Sequence, residues 1–334
     1  MSQPLLEFLS PRFHYTFGPH APVLRVASGA GLRVICPDSD NALSDGTLLS
    51  ADQRQSDVPG LFQGNPMAGP IYVEGAEPGD ALAVRIEEIQ LDRATGQTGL
   101  APSHGLLPAE MLLKHAPEGA SIPRHLYRWR IYPAAGTAEV TNPLGPHPIT
   151  VPLDPFVGCI GVCPPWGQSI STLLCGAFGG NMDIPACRPG ATIYLPVFVD
   201  GGLLMMGDLH AAQGHGEIIG GGIETSGTIC CGVTVMKGCG IPAPRIRDAT
   251  HLMAVGVDGE LRTAVQRAYA NLLDWITDGF GLNRWDAYNL MSQLGSVLMG
   301  GLGPPPHAVS AAIPIDALPR AVRGSSGWPA GARI

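Results

Sequence analysis

The sequence predicts a mainly β protein, a sandwich or distorted barrel built from hairpins, with an α+β part toward its C-terminal end. Three observations predict it. A glycine turn followed at once by an alternating strand recurs as SGAGLRVIC (28–36), PGDALAVRI (78–86) and PGATIYLPV (189–197); such alternation marks strands with one buried face. The irregular spacing of these units excludes a propeller or solenoid repeat. Gly 45 and Pro 32 make up close to a quarter of the 334 residues, the punctuation of many turns and short strands. A 3.6-residue apolar period sets in only after Asp258.

In chain order, Val23–Val26 and Leu32–Cys36 flank the turn Ser28–Gly31 and read as a hairpin. Asp38 and Asp40 follow Pro37 at the strand exit, where side chains can point into a cleft. The polar stretch from Asn41 to Asp57 is long enough to be a lid or a mobile loop. A strand at Ile71–Val73, a turn at Glu77–Asp80 and an alternating strand from Ala81 to Ile86 come next. In 92–150, His104, His115, His125 and His147 lack metal-ligand spacing and read as surface or packing residues. YRWRIY (127–132) reads as a half-buried strand. Gly179, Gly180 and Asn181 form a turn that presents Asp183.

After the strands TICCGVTVM and HLMAVGV, Asp258 is expected to cap a helix with Leu261, Val265, Ala268, Tyr269, Leu272, Leu273 and Ile276 on its apolar face. Gly279 is expected to end it. Asn283 caps a second helix, with Trp285, Tyr288, Met291 and Leu294 on one stripe, and both helices are expected to face a core. A last strand begins near His307 and a Pro/Gly-rich tail follows. The ranges 1–150, 151–250 and 251–320, with 321–334 as tail, read as interlocked parts, not independent domains.

Composition excludes several function classes. A net charge of −8 with no basic cluster argues against nucleic acid or an anionic membrane as partner and favours a small neutral or cationic substrate. No apolar run reaches the ~20 residues that span a bilayer. The start MSQPLLEFLSPRF has no basic segment leading into an apolar one, so the chain reads as soluble and cytoplasmic, with its eight cysteines reduced. Cys159, Cys163, Cys175 and Cys187 lack the paired spacing of structural zinc modules.

Charge is scarce at 14% of residues, yet Asp208, His210, His215, Glu217 and Glu224 fall in one glycine-rich stretch, GGLLMMGDLHAAQGHGEIIGGGIET (201–225), which carries no Lys or Arg. Asp208 and His210, two apart, leave the same face of a strand and can share one metal ion or one proton.

The chain resembles the acetamidase/formamidase family, on GPIYVEGAEPGDALAV (69–84), PFVGCIGVCPPWG (155–167), GGNMDIPACRPGATIYLPV (179–197), GDLHAAQGHGEIIGGGIE (207–224) and GLNRWDAYNLMS (281–292). Five collinear motifs of this length are highly specific. The resemblance implies hydrolysis of a short linear amide such as formamide or acetamide to carboxylate and ammonia. It also implies a divalent metal, zinc first and calcium as the alternative, and a homo-oligomer. Asp208, His210, Gln213, Gly216, Glu217 and Glu224 match the family's acidic motif, and Asp183 its GGN-x-D. His215 stands where many members carry Asp, Gly295–Pro306 is richer in Gly and Pro than usual, and the exit near Asp40, CPDSD, matches loosely.

On that resemblance the expected metal ligands are Asp208, His210, Asp183 and Asp40, and the catalytic groups Glu217, His210 and Glu224. Gln213, His215, Phe178 and Trp166 are expected to contact substrate, with Phe178, Trp166 or Met205 closing a short apolar pocket. A cysteine nucleophile activated by His210 is the rival mechanism. A divergent hydrolase or a non-catalytic metal or small-molecule binder on the same scaffold is the alternative function.

Overall fold

The computed structural model describes residues 5–56, 64–102 and 105–319. His104, the tail at 321–334 and the end of the polar stretch at Asp57 lie outside the described residues. Two large β-sheets dominate. The nine-stranded sheet runs, edge to edge, through Leu6–Leu9, Ala30–Cys36, Gly227–Met236, Ala81–Gln90, Thr192–Pro196, Arg245–Arg247, His251–Asp258, His307–Pro314 and Ser296–Met299. Strands far apart in sequence are neighbours: Ala30–Cys36 pairs antiparallel with Gly227–Met236 and parallel with Leu6–Leu9.

Among the described residues the second sheet has thirteen strands, and its spine runs Thr150–Pro152, Thr137–Val140, His125–Tyr132, Thr95–Leu100, Glu224–Thr225, Leu204–His210, Phe156–Gly161, Gly179–Asn181 and Cys175–Gly176. The sheets face each other as a sandwich. Leu32, Val34, Leu82, Val84, Ile229 and Val233 from one sheet pack in a single core with Ile71, Val157, Ile160, Leu204, Met206 and Leu209 from the other. Each such side chain contributes roughly 1.5–3 kcal/mol by leaving water. Strand alternation places them there: Ala81–Gln90 and Ala30–Cys36 both alternate buried with more exposed residues.

The expected hairpin at 23–36 is not one. Leu24–Val26 pairs parallel with Met67–Val73 in the thirteen-stranded sheet, whereas Ala30–Cys36 belongs to the other sheet. The Ser28–Gly31 turn therefore crosses between layers; alternation identifies each strand but says nothing of its partner. Residues 41–56 fold back through an Ala42–Leu48 bridge, and Arg54–Gln55 pairs with Phe13–His14.

The helix Leu261–Phe280 lies on the nine-stranded sheet, burying Ala264, Ala268, Leu272, Trp275 and Ile276. It approaches closely because Gly256 has no side chain: a Cβ there would stand 2.2 Å from Ala264 O and 2.3 Å from Ala268 N. Under the helix, Arg245 Nε donates to Asn271 Oδ1 at 2.8 Å, and Asn271 Nδ2 donates to Val255 O at 3.1 Å. Burial lowers the Arg245 guanidinium to about 10. Both expected ends shift. Glu260, not Asp258, is the N-cap, accepting from the amides of Arg262 and Thr263, while Gly281 in the left-handed region, not Gly279, is the C-cap.

Asn283 caps the helix Arg284–Leu294, its Oδ1 accepting from Trp285 N. The stripe expected to face a core points mostly outward. Trp285 is 75% and Tyr288 61% exposed, and only Met291 of the stripe is buried. No helix among the described residues is long and apolar enough to cross a membrane.

Candidate active site

The Leu204–His210 strand is buried along its whole length. It pairs with Phe156–Gly161 on one edge and with Met67–Val73 and then Glu224–Thr225 on the other, so its end is fixed from both sides. Asp208 and His210, at 2% and 1% exposure, project from that end. Glu224 lies directly across the ladder from His210, which puts both side chains on one face. His210 Nε2 is 3.0 Å from Glu224 Oε1 and 3.5 Å from Asp208 Oδ1. Phe156 meets the imidazole edge-on, with ring centroids 5.1 Å apart.

Three of the acids sit on left-handed backbone: Asp183 at φ 50, Asp208 at φ 58 and Glu217 at φ 46. Such a conformation disfavours any residue with a Cβ by roughly 1–2 kcal/mol, and it persists where the surroundings hold it. Asp183 N–H donates to Gly158 O at 3.0 Å, and Glu217 N–H to Gly214 O at 3.2 Å. Glycines make the remaining room. A Cβ on Gly158 would lie 2.8 Å from both Asp183 Oδ1 and Asp208 Oδ2. One on Gly222 would lie 2.7 Å from His210 Nδ1, and one on Gly301 2.8 Å from Glu217 Oε2 and 3.1 Å from Asp183 Oδ2. The Gly/Pro-rich segment around Gly301 is tied to the acidic loop, with Leu302 N–H donating to Gly216 O at 2.9 Å.

The charges are unbalanced. Burial raises Asp183 well above the usual carboxylate range, and Glu217 and Asp208 add to that by repulsion. Glu217 is lifted to about 7 by burial, although His210 opposes the shift. Glu224 is also raised, by burial first. Burial alone would lower His210, but Glu224 and Asp208 outweigh it and hold the imidazole well above 6.5. The cluster thus calls for positive charge, and among the described residues no Lys or Arg forms an ion pair with these acids.

Asp183 Oδ1, Asp208 Oδ1, His210 Nδ1 and Gln213 Oε1 are all buried without a hydrogen-bond partner, an unusual concentration in one place. Donor atoms of Asp183, Asp208 and His210 lie within 4.8 Å of one another, as do those of His210, Glu217 and Glu224. One imidazole with several carboxylates at this spacing fits a divalent cation. A cavity of about 670 Å³ meets the cluster at Gln213 and Glu217 and is lined also by Asp154, His215, Gly222, Tyr127 and Trp129 among others.

The structure therefore gathers Asp183, Asp208, His210, Gln213, Glu217 and Glu224. Gln213 Nε2 donates to Asp183 O at 3.0 Å, which leaves its Oε1 free. His215 is exposed at the cavity rim, its Nδ1 3.1 Å from Met299 O. Asp40, expected among the ligands, stands apart from the cluster: it is exposed and its carboxylate accepts from Gln97 Nε2, while neighbouring Asp38 is held by Arg93. Phe178 does not meet the cavity but is buried against Phe17, and Met205 is likewise core. Trp166 is 89% exposed, in the short turn next to Gly167 and Pro19. All three stand in apolar or turn motifs that strand packing explains without a substrate. Gly158, Gly222 and Gly301 carry no functional group for a sequence pattern to pick out; a glycine inside the apolar run PFVGCIG is the one signal of a close approach.

A β-sandwich whose central strand ends on a buried, cation-seeking carboxylate–histidine cluster defines the class: a protein built around an acidic centre open to a small-molecule cavity. The chain belongs to the acetamidase/formamidase family, whose sequence profile matches residues 8–164 and 168–319. It is 30% identical over 269 residues to a formamidase of Methylophilus methylotrophus, a match spanning 68% of this chain and 64% of that protein, so under two thirds of the relative's length. The crystal structure of an acetamidase from Yersinia enterocolitica superposes with a TM-score of 0.76 at 32% identity, covering 91% of this chain and 89% of that one. An acetamidase structure from Bacillus halodurans gives 0.76 at 29% identity, covering 94% and 98%.

Proposed function

We propose that the protein hydrolyses a linear amide to a carboxylate and ammonia at the Asp183–Asp208–His210–Glu217–Glu224 cluster. The observation that carries this reading is the convergence of four buried polar atoms that make no hydrogen bond, beside a cavity lined by Gln213 and Glu217. The names of the relatives, formamidase and acetamidase, support the reaction class.

Asp183, Asp208 and His210 would hold a divalent ion, with Glu224 orienting the imidazole across the ladder. Zinc suits the mixed set of imidazole and carboxylates; calcium, which takes 6–8 oxygen ligands, suits it less. When bound, such an ion supplies Lewis acidity that polarises the amide carbonyl and makes hydroxide available at neutral pH. The side chains do the rest. Glu217, with a pKa of about 7, is matched to take a proton from water and return it to nitrogen. Gln213 Oε1 accepts an amide N–H. As the C–O bond forms and the C–N bond breaks, one proton of water passes through Glu217 to the nitrogen, which departs as ammonia, and the other stays on the carboxylic acid until it ionises to the carboxylate.

A cysteine nucleophile is the weaker reading. The Cys159 thiol, beside Asp208 and Asp183, is pushed well up by burial and by those charges, and its Sγ donates to Thr172 O at 3.4 Å. A protonated thiol is a poor nucleophile. We also read the protein as a cytoplasmic homo-oligomer. The eight free, buried thiols support a reducing compartment, and the exposed Trp285 and Tyr288 support a contact between copies.

The test is ammonia release from formamide, acetamide and larger primary amides, with and without chelator, beside Glu217→Gln. We expect chelator to abolish turnover and added zinc to restore it. Glu217→Gln should lose about 10²–10⁴-fold in kcat. Unchanged turnover in either case would overturn the assignment.

A further inference from the structure

The two oxygens of Asp183 have different surroundings. Asn181 Nδ2 donates to Asp183 Oδ2 at 2.8 Å, whereas Asp183 Oδ1 is buried and makes no hydrogen bond. Oδ1 lies beside Gly158, on the side of Asp208 Oδ2. Oδ2 lies toward Gly301, where Glu217 Oε2 also comes, so a donor on that side relieves the crowding of two acids. Local folding brings the amide to the carboxylate. Asn181 closes the strand Gly179–Asn181, opposite Cys159. The chain then turns, Met182 N–H donating to Gly180 O at 2.9 Å and Asp183 N–H to Gly158 O at 3.0 Å, and side chains two residues apart meet.

An asparagine amide has two ends of nearly equal shape, one a donor and the other an acceptor, so a half-turn would aim an oxygen at the carboxylate. Asn65 decides the orientation. Its Nδ2 donates to Asn181 Oδ1 at 2.8 Å, which leaves the Asn181 N–H for Asp183. Asn65 is buried and belongs to neither group of clustered donor atoms. It stands just ahead of Met67–Val73, the strand that pairs with Leu204–His210. Resting on the metal centre of the amidase reading above, we propose that Asn65 and Asn181 are positioning residues. A relay of donors running from Asn65 through Asn181 to Asp183 holds one oxygen of that carboxylate and thereby presents the other to the cation. Hydrogen bonds to a charged acceptor are among the stronger kind, and partners that stand behind a metal ligand set affinity by about 10–100-fold.

The experiment loads zinc or cobalt(II) into the protein and into its Asn181→Leu, Asn65→Leu and doubly substituted variants. Leucine is close to asparagine in size but neither donates nor accepts. Zinc affinity, measured by competition with a chromogenic chelator, should fall about 10–100-fold in Asn181→Leu. The cobalt(II) absorption bands, which report the ligand field, should shift. Asn65→Leu should move both in the same direction, and the double variant should lose no more than Asn181→Leu alone, as expected of residues that act in series. Wild-type affinity and bands in a folded Asn181→Leu, with only the melt of the metal-free protein lowered, would mean that the pair merely braces the fold; that result overturns the inference and leaves the amidase reading standing. Full additivity in the double variant overturns the relay. If Asn181→Leu does not fold, Asn65→Leu decides alone, unchanged affinity and bands counting against the inference. A wild-type protein that takes up neither ion overturns the metal centre of the amidase reading, and the inference with it.

Discussion

Gly158→Ala isolates the geometry of the centre. Gly158 lies between the two carboxylates and carries no functional group, so alanine there adds only a methyl. Its φ is outside the left-handed range, so alanine is compatible with the backbone. The methyl carbon would stand 2.8 Å from Asp183 Oδ1 and 2.8 Å from Asp208 Oδ2, where ordinary contact begins near 3.4 Å. Each oxygen must therefore retreat by about 0.6 Å, and the opening between them by up to ~1 Å, the scale of misplacement that costs about a hundredfold in rate. Overpacking should cost roughly 1–3 kcal/mol of stability, offset in part by ~0.4–1 kcal/mol from the stiffer unfolded chain. The assays are kcat/KM on the best amide, metal content after dialysis, and a thermal melt. Loss of about a hundredfold in activity and of metal, with a melt only slightly lowered, is expected. Wild-type turnover and metal content in a folded variant would refute the assignment of Asp183 and Asp208 as a paired ligand set.

Three other perturbations test the scaffold. Asn271→Leu should destabilise by about 1.5–3 kcal/mol, because it strips the Oδ1 acceptor from buried Arg245; a urea midpoint matching wild type would contradict this. Asn283→Ala removes the cap from Trp285 N and should cost ~1 kcal/mol with activity unchanged, read by the same titration with the ammonia assay alongside. His14 is stacked on His20 with ring centroids 4.0 Å apart, both its nitrogens are unpartnered, and burial, then His20 and Arg12, lower it from 6.5 to about 3. Between those values the unfolded chain binds a proton that the fold refuses, so stability falls with pH from 6.5 toward 3, by at most ~1.4 kcal/mol per pH unit. His14→Leu should flatten that slope; an unchanged profile would refute it.

Most of the strands were legible because they are written locally. PGDALAVRI and TICCGVTVM alternate or run apolar, and both are sandwich strands. Their partners were not legible, since pairing Leu24–Val26 with Met67–Val73 is a non-local choice that the turn at 28–31 does not encode. Helix ends slipped by two residues because Glu260 and Gly281 compete with Asp258 and Gly279, and only the backbone conformation decides. Trp285 and Tyr288 kept a helical period but not a buried face, for periodicity does not say what covers it. In the centre, Asp208 and His210 stand out by sharing one strand, and Asp183 by following the glycine turn at Gly179–Asn181. Gly158 and Gly301 matter for the side chain they lack, which no pattern of functional groups can reveal.

The pairing of Ala30–Cys36 with Gly227–Met236 also has a consequence for biosynthesis. Arg33 and Cys230, register partners and 197 residues apart, meet only after most of the chain has been made. At ~5–20 residues per second that delay is on the order of 10–40 s, during which one flank of the early strand Ala30–Cys36 stays unpaired and able to find another chain. Sheets closed by such distant contacts form slowly. Yield in a heterologous host should therefore respond to expression temperature and to chaperone supply more steeply than the finished fold's stability would suggest.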